Sequence, residues 1–259
     1  MINAPVWEVN LVVYGSITVE KTVKLNEPKG LQLSDDPFYS DIEIKRRGSS
    51  SGIEAIVTAY APSKQLAREA AILYFGQMLD ALAIRIDQPL YLNFGDRQRN
   101  DYETHDTLRR VKKEEWHKAF KEARLLAMKE STFLRALGWY RKGLYTEDPF
   151  DKFLAFWNSI EIVATKYHPP IPEGRSTGSI SKIWESFKSI WGECDNWDII
   201  QGQKNWIDDN YKIRIAIAHG TQPVDIETVK NVVTKIDILK LVANKFLTDW
   251  RQRRLNPEN

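Results

Sequence analysis

The sequence contains little cysteine and histidine, and it has no long apolar run. The single cysteine, Cys194, excludes an internal disulfide framework and any zinc site built from several cysteines. The four histidines stand apart, without an HExxH motif or paired His/Cys spacing, so we predict neither a metal site nor a cofactor. No apolar stretch approaches the roughly 20 residues that span a bilayer, and the first residues do not resemble a secretory signal. We therefore expect a cytoplasmic protein that does not bind a membrane.

Net charge is also nearly absent, because 37 basic residues are balanced by 35 acidic ones. No strong field of the whole molecule attracts nucleic acid, so any such attraction must come from a local patch. One candidate patch is a stripe on a predicted helix, where basic residues recur at i, i+4, i+8 and i+11. This basic stripe consists of Lys113, His117, Lys121 and Arg124. It predicts either the solvated face of an amphipathic helix or a surface that contacts RNA, and nothing in it indicates DNA specifically.

Residues 1–95 have the pattern of a small β-rich α+β module. The predicted strands cover 7–15, 17–25, 41–47, 53–61 and 89–94. The first two nearly touch at Gly15 and predict a hairpin, and the third and fourth flank a Gly/Ser-rich turn and predict a second one. Ser63 is the expected N-cap of a helix of about twenty residues, which would cover one face of the sheet.

The rest of the chain is predicted to be helical. Residues 96–109 are polar and are predicted to form a linker, and 110–259 carry helical periodicity with short connections. The five predicted helices cover about 116–137, 149–167, 180–191, 203–219 and 225–253. The predicted fold class is therefore α+β, with a small N-terminal β-rich α+β module followed by an all-α helical bundle.

One pair of residues in the bundle carries a chemical signal. Arg214 lies in an otherwise apolar stretch, and His219 follows five positions later, just before Gly220. Five helical steps leave the two side chains about 140° apart, although a long arginine can curl toward the last turn. A guanidinium can hold a phosphate bidentately, and an imidazole can move a proton. Together they could cleave a phosphodiester without a metal ion.

The Arg214-x4-His219 spacing, near the end of the fourth helix of a bundle, resembles the Rx4–6H signature of HEPN domains. Glu161 on the second helix is similar to the acidic residue that commonly faces the Arg/His pair in these families, and a β-rich module before the bundle is similar to their ApeA-like and MauJ-like branch. The resemblance covers about residues 110–250 and implies a metal-independent, homodimeric endoribonuclease of a toxin or antiphage system. It implies that Arg214 clamps the phosphate, His219 acts as general acid or base, and Glu161 orients one of them.

Other interpretations of the same residues remain open. The alternating Ile213, Ile215 and Ile217 could form a buried strand, with Arg214 and His219 on opposite sides of a sheet. Arg214 could also bridge Glu161 for structural reasons only. Ile215 follows the arginine where many catalytic HEPN members carry a polar residue. This favours the alternative function, a non-catalytic module that binds a nucleotide, RNA or a protein.

Overall fold

The computed structural model describes residues 5–26, 38–48, 51–93, 108–174, 176–221 and 225–255. An antiparallel sheet is followed by helices, which confirms the predicted α+β class. The chain divides into two compact units, Met1–Arg124 and Leu125–Asn259. We refer to them as the sheet unit and the helical unit.

The sheet unit is built on a five-stranded sheet of β1 (Val6–Tyr14), β3 (Val23–Asn26), β4 (Phe38–Arg46), β5 (Ile53–Tyr60) and β6 (Tyr91–Asn93). The strand order is β3-β4-β5-β1-β6, and a separate parallel pair is formed by β2 (Ile17–Thr18) and β7 (Arg109–Arg110). Along β5, alternate residues are buried, as expected for a strand with one face on a core. Helix α1 (Lys64–Ile86) packs on this sheet, and the Ser63 side chain caps it by accepting a hydrogen bond from the Leu66 N–H, as predicted.

The second predicted hairpin is confirmed, and the first is wrong. Strands β4 and β5 pair antiparallel, whereas β1 pairs with β5 and β6 and not with the segment that follows it. Gly15 does not form the predicted tight turn between paired strands. A Cβ at Gly15 would collide with the carbonyl oxygen of Pro89, so glycine permits a close approach of two backbones there.

The helices of the rest of the chain follow the predicted pattern, with one exception. They are α2 (Lys113–Lys129), α3 (Ser131–Tyr145), α4 (Pro149–Tyr167), α5 (Ser179–Trp191), α6 (Trp206–Ala218) and α7 (Ile226–Arg254). The first predicted helix is interrupted at Glu130, and the structure therefore has α2 and α3 in its place. Asp148 is the N-cap of α4, as predicted, and its side chain accepts a hydrogen bond from the Asp151 N–H. Helix α4 packs against α3, α5, α6 and α7, so it is the central helix of the helical unit.

The division between the units falls within α2, not at the linker predicted for 96–109. Of that linker, 96–107 lie outside the described residues. Backbone pairing of Arg109 with β2 and an ion pair between Arg85 of α1 and Glu122 of α2 explain why the chain up to Arg124 groups with the sheet. Among the described residues, no helix has the length and apolar character needed to cross a bilayer.

Candidate functional site

An ion pair between α4 and α6 brings together two of the three predicted catalytic residues. The Arg214 Nε atom lies 3.2 Å from Oε2 of Glu161, and the two side chains are 27% and 14% exposed. The buried Nε has no hydrogen-bond partner among the described residues, so the contact is an electrostatic one with poor hydrogen-bond alignment. A guanidinium carries five N–H donors, and one carboxylate contact therefore leaves capacity to bind a phosphate.

Aromatic packing one helical turn away explains why these two residues meet. Trp157 precedes Glu161 by four residues on α4 and is fully buried. Its ring lies 6.3 Å from the ring of Tyr211, which precedes Arg214 by three residues on α6. Residues three or four apart share a helix face, so the aromatic contact and the ion pair lie on the same two facing surfaces. The segment Trp206–Ala218 is a helix, so the alternative of a buried strand is wrong.

Arg214 and Glu161 belong to the wall of an open cleft of about 520 Å³ in the helical unit. The other lining residues are Thr132, Arg135 and Trp139 of α3 and Asn158, Ile162, Thr165 and Lys166 of α4. Three cationic side chains against one carboxylate make the lining positive. Its volume falls within the range of about 300–1,000 Å³ that is typical of small-molecule sites. Charge, size and mixed polarity together suit a phosphate-bearing ligand.

His219 is the predicted catalytic residue that the structure does not place in the cleft. It is the C-cap of α6 and is exposed, and it is not among the residues that line the cleft. Gly220 then takes a left-handed conformation (φ 62°) and ends the helix, as predicted. A helix rises about 1.5 Å per residue, so His219 follows Arg214 by about 7.5 Å along the axis. Within one chain, the predicted pair is therefore split between the cleft wall and the end of α6.

The basic stripe predicted to contact RNA lies on α2. Lys113, His117 and Lys121 are exposed, and Arg124 is partly buried. The helical spacing is thus as predicted, and the three exposed members form a solvated cationic face. These residues belong to the sheet unit, whereas the cleft belongs to the helical unit.

The cleft residues of α3 were missed by sequence reasoning. Thr132, Arg135 and Trp139 recur at i, i+3 and i+7, and Asn158, Glu161 and Thr165 have the same spacing on α4. The sequence did carry a signal for these residues. It is a mainly polar stripe on each of two successive helices whose other positions are rich in core residues. Periodicity alone could not reveal that the two stripes face one cleft.

Metal-dependent and thiol chemistry receive no support from the described residues. No group of three or more His, Cys, Asp or Glu side chains in them could hold a metal ion. Burial, and then the carboxylate of Asp195, raise the pKa of the Cys194 thiol. A raised pKa disfavours the thiolate, which is the nucleophilic form.

Comparison of the chain with protein-family models, with curated proteins and with solved structures found no match.

Proposed function

We propose that the helical unit is a metal-independent endoribonuclease of the HEPN type that acts as a homodimer. The observation that carries the proposal is the Arg214–Glu161 pair in a positively lined cleft. The RNA 2′-hydroxyl would attack the adjacent phosphorus while the bond from phosphorus to the 5′-oxygen breaks. The products would be a 2′,3′-cyclic phosphate and a 5′-hydroxyl.

Each residue has a distinct role in this scheme. Arg214 binds the phosphate and stabilises the charge that develops on it, and Glu161 holds the arginine in place. His219 transfers the proton, either from the 2′-hydroxyl or to the departing 5′-oxygen. The proposal extends to a cytoplasmic location, a toxin or antiphage role, and RNA contact by the basic stripe on α2.

A homodimer is consistent with the surface of α6. Ile213 and Ile217, which lie one helical turn apart on the same face of α6, are only partly buried in the single chain, although they are large and apolar. A second copy that packed against this part of α6 would remove apolar area from water. Its contact surface would include the end of α6, and an exposed His219 could then serve a cleft shared by two subunits.

The test is cleavage of end-labelled single-stranded and structured RNA in excess chelator by the wild type, His219→Ala and His168→Ala. His168 is a matched control, because it is a histidine of the same unit outside the cleft, and its ring nitrogen Nδ1 lies 2.7 Å from the Pro169 carbonyl oxygen. We expect His219→Ala to lose about 10²- to 10⁴-fold in rate, the usual contribution of general acid–base catalysis. His168→Ala should cleave like the wild type.

Two results would contradict the proposal. Equal cleavage by the wild type and His219→Ala would show that this histidine takes no part in the reaction. Loss of cleavage in excess chelator would show that the reaction depends on a metal ion. The position of His219 outside the cleft favours a second candidate function, a module that binds RNA or a nucleotide without cleaving it. Binding of RNA by wild-type protein that leaves the RNA intact would support that alternative.

A further inference from the structure

We infer that the cleft binds an unpaired nucleotide of a single-stranded RNA, with its base stacked on Trp139 and its phosphate held by Arg214 and its cationic neighbours. The inference rests on the proposed function for the identity of the ligand. It adds a base-binding residue and a preference for single strands over duplexes.

Trp139 is the only aromatic residue among the described residues that line the cleft, and it is half-buried. A buried core tryptophan would be explained by packing alone, but this one forms part of an open surface. The Lys142 ammonium lies 4.9 Å from the ring centroid, and Lys142 does not line the cleft. In a cation–π contact the cation lies over one face of the ring, so a base would stack on the opposite face of Trp139.

The other lining residues match the remaining parts of a nucleotide. Arg135 precedes Trp139 by one helical turn, and Lys166 and Arg214 add two further cations. Thr132, Asn158 and Thr165 offer hydroxyl and amide groups that can bond to base edges or to a ribose. An aromatic platform beside a cationic track is the usual composition of a single-strand binding site.

The geometry of duplex RNA argues for an unpaired ligand. In an A-form helix the bases are stacked on one another, so their faces are not available to a side chain. A tryptophan on a cleft wall can stack only with a base that has left the helix. A cleft that uses Trp139 in this way should therefore select loops, ends and single strands.

The binding test separates this inference from catalysis by using a probe that cannot react. A fluorescein-labelled 2′-O-methyl oligonucleotide has no free 2′-hydroxyl, so anisotropy measures affinity alone. Single-strand, duplex and abasic forms of the probe would be compared on the wild type, Trp139→Leu and Trp184→Leu. Trp184 is the matched control because it is also half-buried in the helical unit, but it packs on Trp197 and does not line the cleft.

We expect Trp139→Leu to bind the single strand about 5- to 150-fold more weakly, the range for loss of one base–aromatic stack. Trp184→Leu should bind like the wild type, and the wild type should prefer the single strand to the duplex. The abasic probe should bind the wild type and Trp139→Leu equally. The abasic probe also gives a test that needs only the wild type. Wild-type protein should bind it more weakly than the intact single strand, and this comparison holds even if Trp139→Leu does not fold.

The inference is overturned if Trp139→Leu retains full affinity, if the duplex binds as tightly as the single strand, or if the abasic probe binds the wild type undiminished. The inference is also overturned if AMP or UMP displaces the labelled probe at the same concentration as the unlabelled oligonucleotide does. That result would mean that the cleft binds a free nucleotide. If these binding results hold but unmodified RNA is not cleaved, only the catalytic proposal fails. If RNA is cleaved while Trp139→Leu binds normally, only the stacking inference fails.

Discussion

Gly143 determines how closely α3 approaches α4, the two helices that supply most of the cleft wall. A Cβ at this position would lie 2.7 Å from Cδ1 and Cε1 of Phe156, whereas carbon atoms in favourable contact are about 3.5–4.0 Å apart. Phe156 is 1% exposed, and its other neighbours include the Tyr140 ring at 5.4 Å. The ring would have to move by about 0.8 Å within a close-packed core to relieve the contact.

The change Gly143→Ala therefore has two opposing effects on the free energy of unfolding. Alanine in place of a helix glycine stabilises by about 0.5–1 kcal/mol. Overpacking of a filled core costs about 1–3 kcal/mol. We expect a net destabilisation of about 1 kcal/mol, and weaker binding of the single-stranded probe, because Trp139 lies one turn from Gly143 and Asn158 lies two residues from Phe156.

Urea unfolding followed by tryptophan fluorescence measures this effect, since seven of the nine tryptophans lie in the helical unit. Gly76→Ala is the matched control, because a Cβ there would meet the Leu92 Cδ2 atom at an ordinary 3.8 Å. Followed by far-ultraviolet circular dichroism, Gly76→Ala should be neutral or stabilising. In a Phe156→Leu background, Gly143→Ala should lower the free energy of unfolding much less, because the ring that the new Cβ would meet is gone. A Gly143→Ala protein as stable as the wild type would refute the reasoning.

Two further predictions concern polar contacts within the helical unit. In a double-mutant cycle of Arg214→Met and Glu161→Gln, the coupling free energy of unfolding by urea should be about 1 kcal/mol, and zero coupling would mean that the ion pair contributes nothing. The Tyr167 hydroxyl donates a 2.6 Å hydrogen bond to Glu130 Oε2, so Tyr167→Phe should lower the free energy of unfolding by about 1 kcal/mol at pH 7. Burial, together with that hydrogen bond and the charge of Glu130, raises the pKa of Tyr167 above its ordinary value, so the wild-type advantage should be complete below about pH 10 and decrease as the pH rises further. An advantage that grows at alkaline pH would contradict the assigned contact.

Local sequence signals located the helices accurately where a side chain caps the backbone. Asp148 and Asp225 accept hydrogen bonds from the N–H groups of Asp151 and Thr228, at the starts predicted for α4 and α7. These signals work because a cap satisfies donors only two or three residues away. The break between α2 and α3 at Glu130 was missed because the apolar periodicity continues across it, and no glycine or proline marks the interruption.

Arg214 could be nominated from the sequence because a charged residue is unusual in an apolar helix, whereas Glu161 was nominated only through the resemblance to HEPN domains. The sequence could not decide whether these two side chains contact each other. In the structure they do, and the packing of Trp157 on Tyr211 brings their helix faces together. The same packing leaves His219 beyond the cleft, in agreement with the separation of about 140° that a five-residue helical spacing gives. A side chain at a helix end can point in several directions, and its neighbours depend on what packs there.

The sequence by itself determined the class of the fold, most helix limits and the chemical types available for a site, because these depend on residues within a few positions of one another. The tertiary structure alone decided that β1 lies between β5 and β6, that the chain up to Arg124 belongs with the sheet, and that Trp139 shares a cleft with Arg214. Each of these depends on contacts between segments far apart in the chain. Several pairings satisfy the same local pattern, and only the packing of the complete core selects one of them.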